Sequence, residues 1–252
     1  MKTSALALLV AAMGAACGGS QSPTTPSTTT PSGSSEMFSG SLAVQGSSFY
    51  SFTVATAETV SVSLASLAPT ATGPASTSVV HLGLGVPLGT DCSVTNVVDT
   101  AAGLTAQITA PISPDVYCVK ISDIGNLAGP MNFVIRIGHN VTSSSSAAAA
   151  PTTFASFLAL GGTSAETFSI SQSGTVSLTL TSVTPSSMVG VGIGIPGAST
   201  STCSLSRSLD ATAGSTPQIA IPVDPGTYCA EVYDAGSLTA PGVSFSLTIA
   251  HP

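Results

Sequence analysis

Pro114-Asp115-Val116-Tyr117-Cys118 and Pro225-Gly226-Thr227-Tyr228-Cys229 are the same strand entry written twice in a chain of 252 residues. Each copy has a partner cysteine 26 positions upstream, Cys92 and Cys203, and each runs on into an Asp-x-Gly turn, Asp123 to Gly125 and Asp234 to Gly236. The matched spacing predicts two disulfides, Cys92 with Cys118 and Cys203 with Cys229, each closed within one repeat. Such bonds persist outside the reducing cytoplasm.

The similarity spreads outward from these strands. Leu42 to Pro69 aligns with Leu158 to Pro185 without a gap, 11 of 28 positions being identical, and Cys92 to Gly125 aligns with Cys203 to Gly236 at 14 of 34. Phe133 to His139 matches Phe245 to His251, so the copies also end alike. A period this long is a domain duplication, because solenoid repeats run to roughly 20 to 50 residues.

Inside each copy apolar residues alternate with Ser and Thr, the pattern of a strand with one face buried. Val60, Val62 and Leu64 alternate with Thr59, Ser61 and Ser63, and Val176, Leu178 and Leu180 repeat the pattern. Phe52 with Val54, Phe168 with Ile170, and Phe245 with Leu247 and Ile249 extend the candidate core. About seven or eight such segments per copy, with no helical period, predict an all-β chain of two tandem antiparallel β-sandwich domains, jelly-roll or Ig-like. The same parity points Tyr117, Val119 and Ile121 inward and Cys118 outward, so the disulfide is expected on an outer face. Gly83 and Gly85, and Gly190, Gly192 and Gly194, fall on one face of a strand that ends in proline. They do not open a helix, which excludes a dinucleotide loop and leaves close packing of another backbone or ring as their expected role, with a ligand groove that admits a flat ring such as a sugar as the alternative.

Composition bounds the chemistry. Only 6% of residues are charged, Trp is absent and the formal net charge is −7. With four Lys plus Arg in all, no basic patch exists and nucleic acid is not expected as a partner.

The N-terminus reads as a targeting segment: Lys2, an apolar run from Ala5 to Met13, then Gly14-Ala15-Ala16 before Cys17. It resembles a bacterial lipoprotein signal, with Gly14 where a Leu is usual. The resemblance implies cleavage after residue 16, lipidation of Cys17 and anchoring to the cell envelope, at the outer membrane or cell surface. Five cysteines forming two pairs leave Cys17 over, in keeping with this. The expected organisation is therefore a signal peptide (1–16), a disordered Ser/Thr/Pro-rich tether (17–36), a first sandwich (37–141), a Ser/Ala-rich linker (142–153) and a second sandwich (154–252).

The order Phe-x-Val or Phe-x-Ile, a long alternating strand, Pro-Gly-Thr-Tyr leading into a strand, and a closing Phe-Ser-Leu-Thr-Ile resembles bacterial pre-peptidase C-terminal domains. These are β-sandwich accessory modules of secreted enzymes. The cysteines after Tyr117 and Tyr228 lie outside that family's pattern, and the acids of its central strand are here glycine and His81.

No catalytic site is expected. A nucleophilic serine needs a base, and the histidines are His81, His139 and His251, of which the last two read as solvated strand ends. The four domain cysteines have disulfide partners, so no zinc site or other cofactor is expected. Asp99, Asp210, Asp123 and Asp234 recur in both copies as calcium candidates, although an Asp two before a Gly is more often an Asx turn. The sequence thus points to a non-catalytic, surface-anchored binding or adhesion module for an extracellular glycan or protein. Its alternative is a structural protein assembling through sheet edges, since almost no Lys is available to blunt them.

Overall fold

The computed structural model describes residues 33–139, 149–197 and 202–252. Copy 1 contributes β1 (Ser34–Leu42), β2 (Ser47–Val54), β3 (Glu58–Ala68), β4 (Val80–Leu88), β5 (Asp91–Thr100), β6 (Ile108–Ile112), β7 (Asp115–Ser122) and β8 (Met131–His139). Copy 2 contributes β9 (Thr152–Ala159), β10 (Thr163–Ile170), β11 (Gly174–Thr184), β12 (Val189–Pro196), β13 (Cys203–Ala211), β14 (Ile219–Val223), β15 (Gly226–Tyr233) and β16 (Gly242–Ala250). The first strand thus takes up Ser34 to Glu36 from the segment read as tether, and β9 takes up Thr152 and Thr153 from the segment read as linker.

Each copy is two four-stranded antiparallel sheets. Sheet I has the order β1-β8-β3-β6 and sheet II β2-β7-β4-β5; copy 2 repeats them as sheet IV, β14-β11-β16-β9, and sheet III, β10-β15-β12-β13. In copy 1 every connection crosses from one sheet to the other except the β4–β5 hairpin, and copy 2 repeats this with β12–β13. Of the two architectures expected, this is the eight-stranded jelly roll. The inward rows fill the space between paired sheets. Val60, Val62, Leu64, Val119, Ile121, Ile135 and Ile137 are fully buried in copy 1, and Val176, Leu178, Leu180, Tyr228, Leu247 and Ile249 in copy 2.

Both disulfides form as paired by spacing, with S–S distances of 1.98 Å for Cys92–Cys118 and 1.91 Å for Cys203–Cys229. They staple β5 to β7 and β13 to β15 on the outer faces of sheets II and III. The Pro-x-x-Tyr-Cys signature has a structural cause. Tyr117 donates its hydroxyl hydrogen bond to the Ser113 carbonyl at 3.1 Å, and Tyr228 donates likewise to the Asp224 carbonyl, each four residues upstream. This tyrosine corner fixes the chain where it swings from one sheet into the other.

The glycine row is a packing device. A Cβ on Gly85 or Gly194 would strike the carbonyl of Ser93 or Ser204 at a bulge of the neighbouring strand, and one on Gly190 would enter the Tyr233 ring. Gly192 lies against Leu205.

Ser32–Pro252 forms one compact unit. The outer face of sheet I lies on the outer face of sheet III, which stacks the four sheets in the order II, I, III, IV.

Candidate functional site

The residues that make this stack are the places where copy 1 departs from copy 2. Ala65, Leu104, Val134 and Arg136 stand where copy 2 has Thr181, Ser215, Ser246 and Thr248. Ala65 and Leu104 are 1% and 4% exposed and belong to the hydrophobic core of copy 2, with Val134 packed against it. Thr181 and Ser215 are exposed. The β3–β4 connection is also seven residues longer in copy 1, and this added chain carries Ala75 onto the Cys203, Leu205 and Cys229 cluster of sheet III.

Polar bonds complete the contact. Ser66 donates its hydroxyl hydrogen to the Leu205 carbonyl at 2.7 Å, the Ala75 amide donates to Ser208 Oγ at 2.9 Å, and the Ala106 amide donates to Asp224 Oδ2 at 2.7 Å. Arg136 donates from Nη1 to the Tyr228 hydroxyl at 3.2 Å and from Nη2 to the Pro225 carbonyl at 2.5 Å. The second tyrosine corner is therefore part of the junction. Burial pushes the Tyr228 hydroxyl's pKa up, with the Arg136 charge opposing.

The stack buries a carboxyl group. Glu231 on β15 is fully buried, and neither oxygen has a hydrogen bond of normal geometry. It pairs across the strands with Ala165 on one side and Gly192 on the other, and Gly192 in turn pairs with Ser208. Desolvation pushes the Glu231 pKa up to about 7, and the nearby Cys203 amide offsets this only in part. Copy 1 holds Lys120 at this position, paired with Asp91 at 2.8 Å.

Two clefts flank the junction. One, of about 430 Å³, is walled by the β3–β4 and β5–β6 connections of copy 1 and by β13 and β14 of copy 2. Its polar lining comes from Ser76, Thr77, Thr105, Ser206, Arg207 and Ser208. Ser206 is 5% exposed and its hydroxyl has no partner. The other, of about 470 Å³, lies towards Met37, Ser39, Phe133, Pro196 and Ser204.

The acids and histidines singled out by sequence are scattered. Asp123 Oδ1 accepts the amides of Gly125, Asn126 and Leu127, and its Oδ2 accepts that of Gln45 at 2.8 Å. Asp234 accepts those of Gly236, Leu238 and Gly161. Both are Asx turns that tie the β1–β2 or β9–β10 turn to the end of β7 or β15, and these donors hold both carboxyls below the ordinary range. Asp99 meets His81 Nδ1 at 2.6 Å, and Asp210 lies beside Tyr233. Among the described residues no group of three or more His, Cys, Asp or Glu is placed to hold a metal. Cys17 lies outside the described residues.

His139 corrects the sequence reading. It is not a solvated end: it is 9% exposed, with Nδ1 at 2.6 Å from Glu58 and Nε2 at 3.2 Å from Glu36, which also accepts the Tyr50 hydroxyl. These acids come from β1 and β3, the strands on either side of β8, so the cluster crosses three strands of sheet I. His251, its copy-2 counterpart, is half-buried and stacks on Phe168.

No family model matches the chain, and no curated protein matches it. Among solved structures, a chain of the Sulfolobus turreted icosahedral virus aligns over 87% of this chain and 92% of its own at 12% identity, with a TM-score of 0.28. That score is too low to carry any conclusion about fold or function.

Proposed function

We propose that the chain is a non-catalytic, surface-anchored binding module for an extracellular glycan or protein, held to the cell envelope by a lipid on Cys17. The observation that carries this reading is the hydroxyl-lined cleft at the junction of the two jelly rolls. Ligand sites favour domain interfaces, where two rigid walls meet and side chains from both converge. The lining offers hydroxyl donors and acceptors beside the apolar Leu104 and Pro222, the mixture that suits a sugar ring. The jelly roll hosts lectin domains among others, an association at the level of the fold alone.

The duplication acts here by building a junction. Sheet I is spent on contact with sheet III, so the outward Ser/Thr row of copy 2, Ser244, Ser246 and Thr248, has no free equivalent in copy 1.

The test is a glycan array probed with the full chain and with Thr77→Trp, a change at an exposed cleft position. Binding that Thr77→Trp abolishes supports the module, and binding that it leaves intact moves the site elsewhere. Metabolic labelling with a fatty-acid probe, lost in Cys17→Ala, checks the anchor.

A further inference from the structure

We propose that the junction cleft recognises a carboxylate-bearing sugar, a uronate unit, through Arg207, an inference that rests on the glycan-binding reading. Lys120 is paired with Asp91, and the half-buried Arg136 is engaged in the junction by Tyr228 and Pro225. Among the described residues that leaves Arg207 as the one Lys or Arg without a hydrogen bond or ion pair, and it is exposed at the cleft. Beside it stands the buried, partnerless hydroxyl of Ser206, and beyond that Ser208. A buried hydroxyl left unpaired is costly, so its retention at a ligand-sized opening has a cause if a ligand oxygen completes it.

The charge arithmetic favours a singly charged group. A single guanidinium balances one negative charge, whereas a doubly charged phosphate monoester would leave an excess in a chain of net charge −7. The planar fork of Arg matches the two oxygens of a carboxylate, and the neighbouring hydroxyls suit the ring oxygens of the same unit. The net negative charge does not forbid this, because distant charges are screened over about 8 Å at physiological ionic strength.

The experiment titrates the full chain with an oligogalacturonate, with its methyl ester, which keeps the ring and removes the charge, and with a sulfated oligosaccharide. The acid is expected to bind at least tenfold more tightly than the ester. Arg207→Gln should lose about that factor and Arg207→Lys an intermediate one, since Lys keeps the charge without the fork. Ser206→Ala should weaken binding while leaving the melting temperature of the free protein unchanged or higher, opposite signs that a purely structural role does not produce. Equal binding of acid and ester, tighter binding of the sulfated ligand, or indifference to Arg207→Gln would overturn the proposal and leave glycan binding standing. Absence of binding to every glycan, neutral ones included, would overturn the underlying reading as well.

Discussion

At the residue scale the duplication supplies its own controls. Gln45 and Gly161 occupy the same turn position, each giving its amide to the Asp of the following Asx turn, and both are left-handed, with φ of 55° and 67°. Only glycine adopts that conformation without a steric penalty. Gln45→Gly should therefore stabilise copy 1 by a few tenths to about 1 kcal/mol in denaturant melts, the gain being trimmed by glycine's greater freedom in the unfolded chain; a loss of stability would show that the Gln side chain matters more than its backbone. Glu231 is the other informative residue. Its folded pKa, about 7, lies above its ordinary 4.5, so the native state binds the extra proton. Below pH 4.5 both states are protonated and burial carries no charge penalty; stability then falls as pH rises towards 7 and the full penalty applies above it. Glu231→Gln removes the titration. The stability difference between variant and parent should grow between pH 4.5 and 7 and level off, on the order of 3 kcal/mol at most. A difference independent of pH would mean that the carboxyl finds a partner.

Elements show what could be read in advance and what could not. Strand positions, the inward rows and both disulfides were legible because alternation and cysteine spacing are local signals that burial rewards directly. The glycine row was legible as a packing device, and Gly190 shows why: the matching copy-1 residue is His81, which points to Asp99, while Tyr233 replaces Ser122 and its ring needs the missing Cβ. Gly190→Ala should accordingly cost roughly 1 to 3 kcal/mol by overpacking, read as a lower denaturant midpoint, and the double variant with Tyr233→Ser should recover part of it. His139 was misread because its partners, Glu36 and Glu58, are distant in sequence and meet it only through the β1-β8-β3 register. Nor does any local pattern mark the junction. Leu104 and Arg136 look like an ordinary loop residue and an ordinary outward residue, and only comparison with Ser215 and Thr248 in the other copy singles them out.

For the whole molecule, the decisive asymmetry is that sheet I of copy 1 is built to be covered and sheet IV of copy 2 is not. A contact between unlike faces, I on III, leaves II and IV outward, and such contacts can in principle propagate into open arrays. Here the devices that make the contact, Leu104, Arg136, Ala65 and the seven added residues before β4, occur in copy 1 and not in copy 2. Restoring the copy-2 residues in copy 1, Leu104→Ser with Arg136→Thr, should undo the junction while leaving in place the inward rows between the paired sheets of each copy. Leu104 is 4% exposed within the core of copy 2, and shortening a buried leucine this far costs roughly 2 to 5 kcal/mol. Losing Arg136 also removes a donor from the Pro225 carbonyl and from the Tyr228 hydroxyl. Each copy keeps its own rows of Val, Leu and Ile and its own disulfide, so the double variant should still fold. The parent is expected to melt in one transition and the double variant in two, and amide exchange should rise around Leu205 to Ser208 and at Asp224, where copy 1 now lies, but not along β11 or β16. One unchanged transition with unchanged exchange would show that the β3–β4 connection alone holds the repeats together.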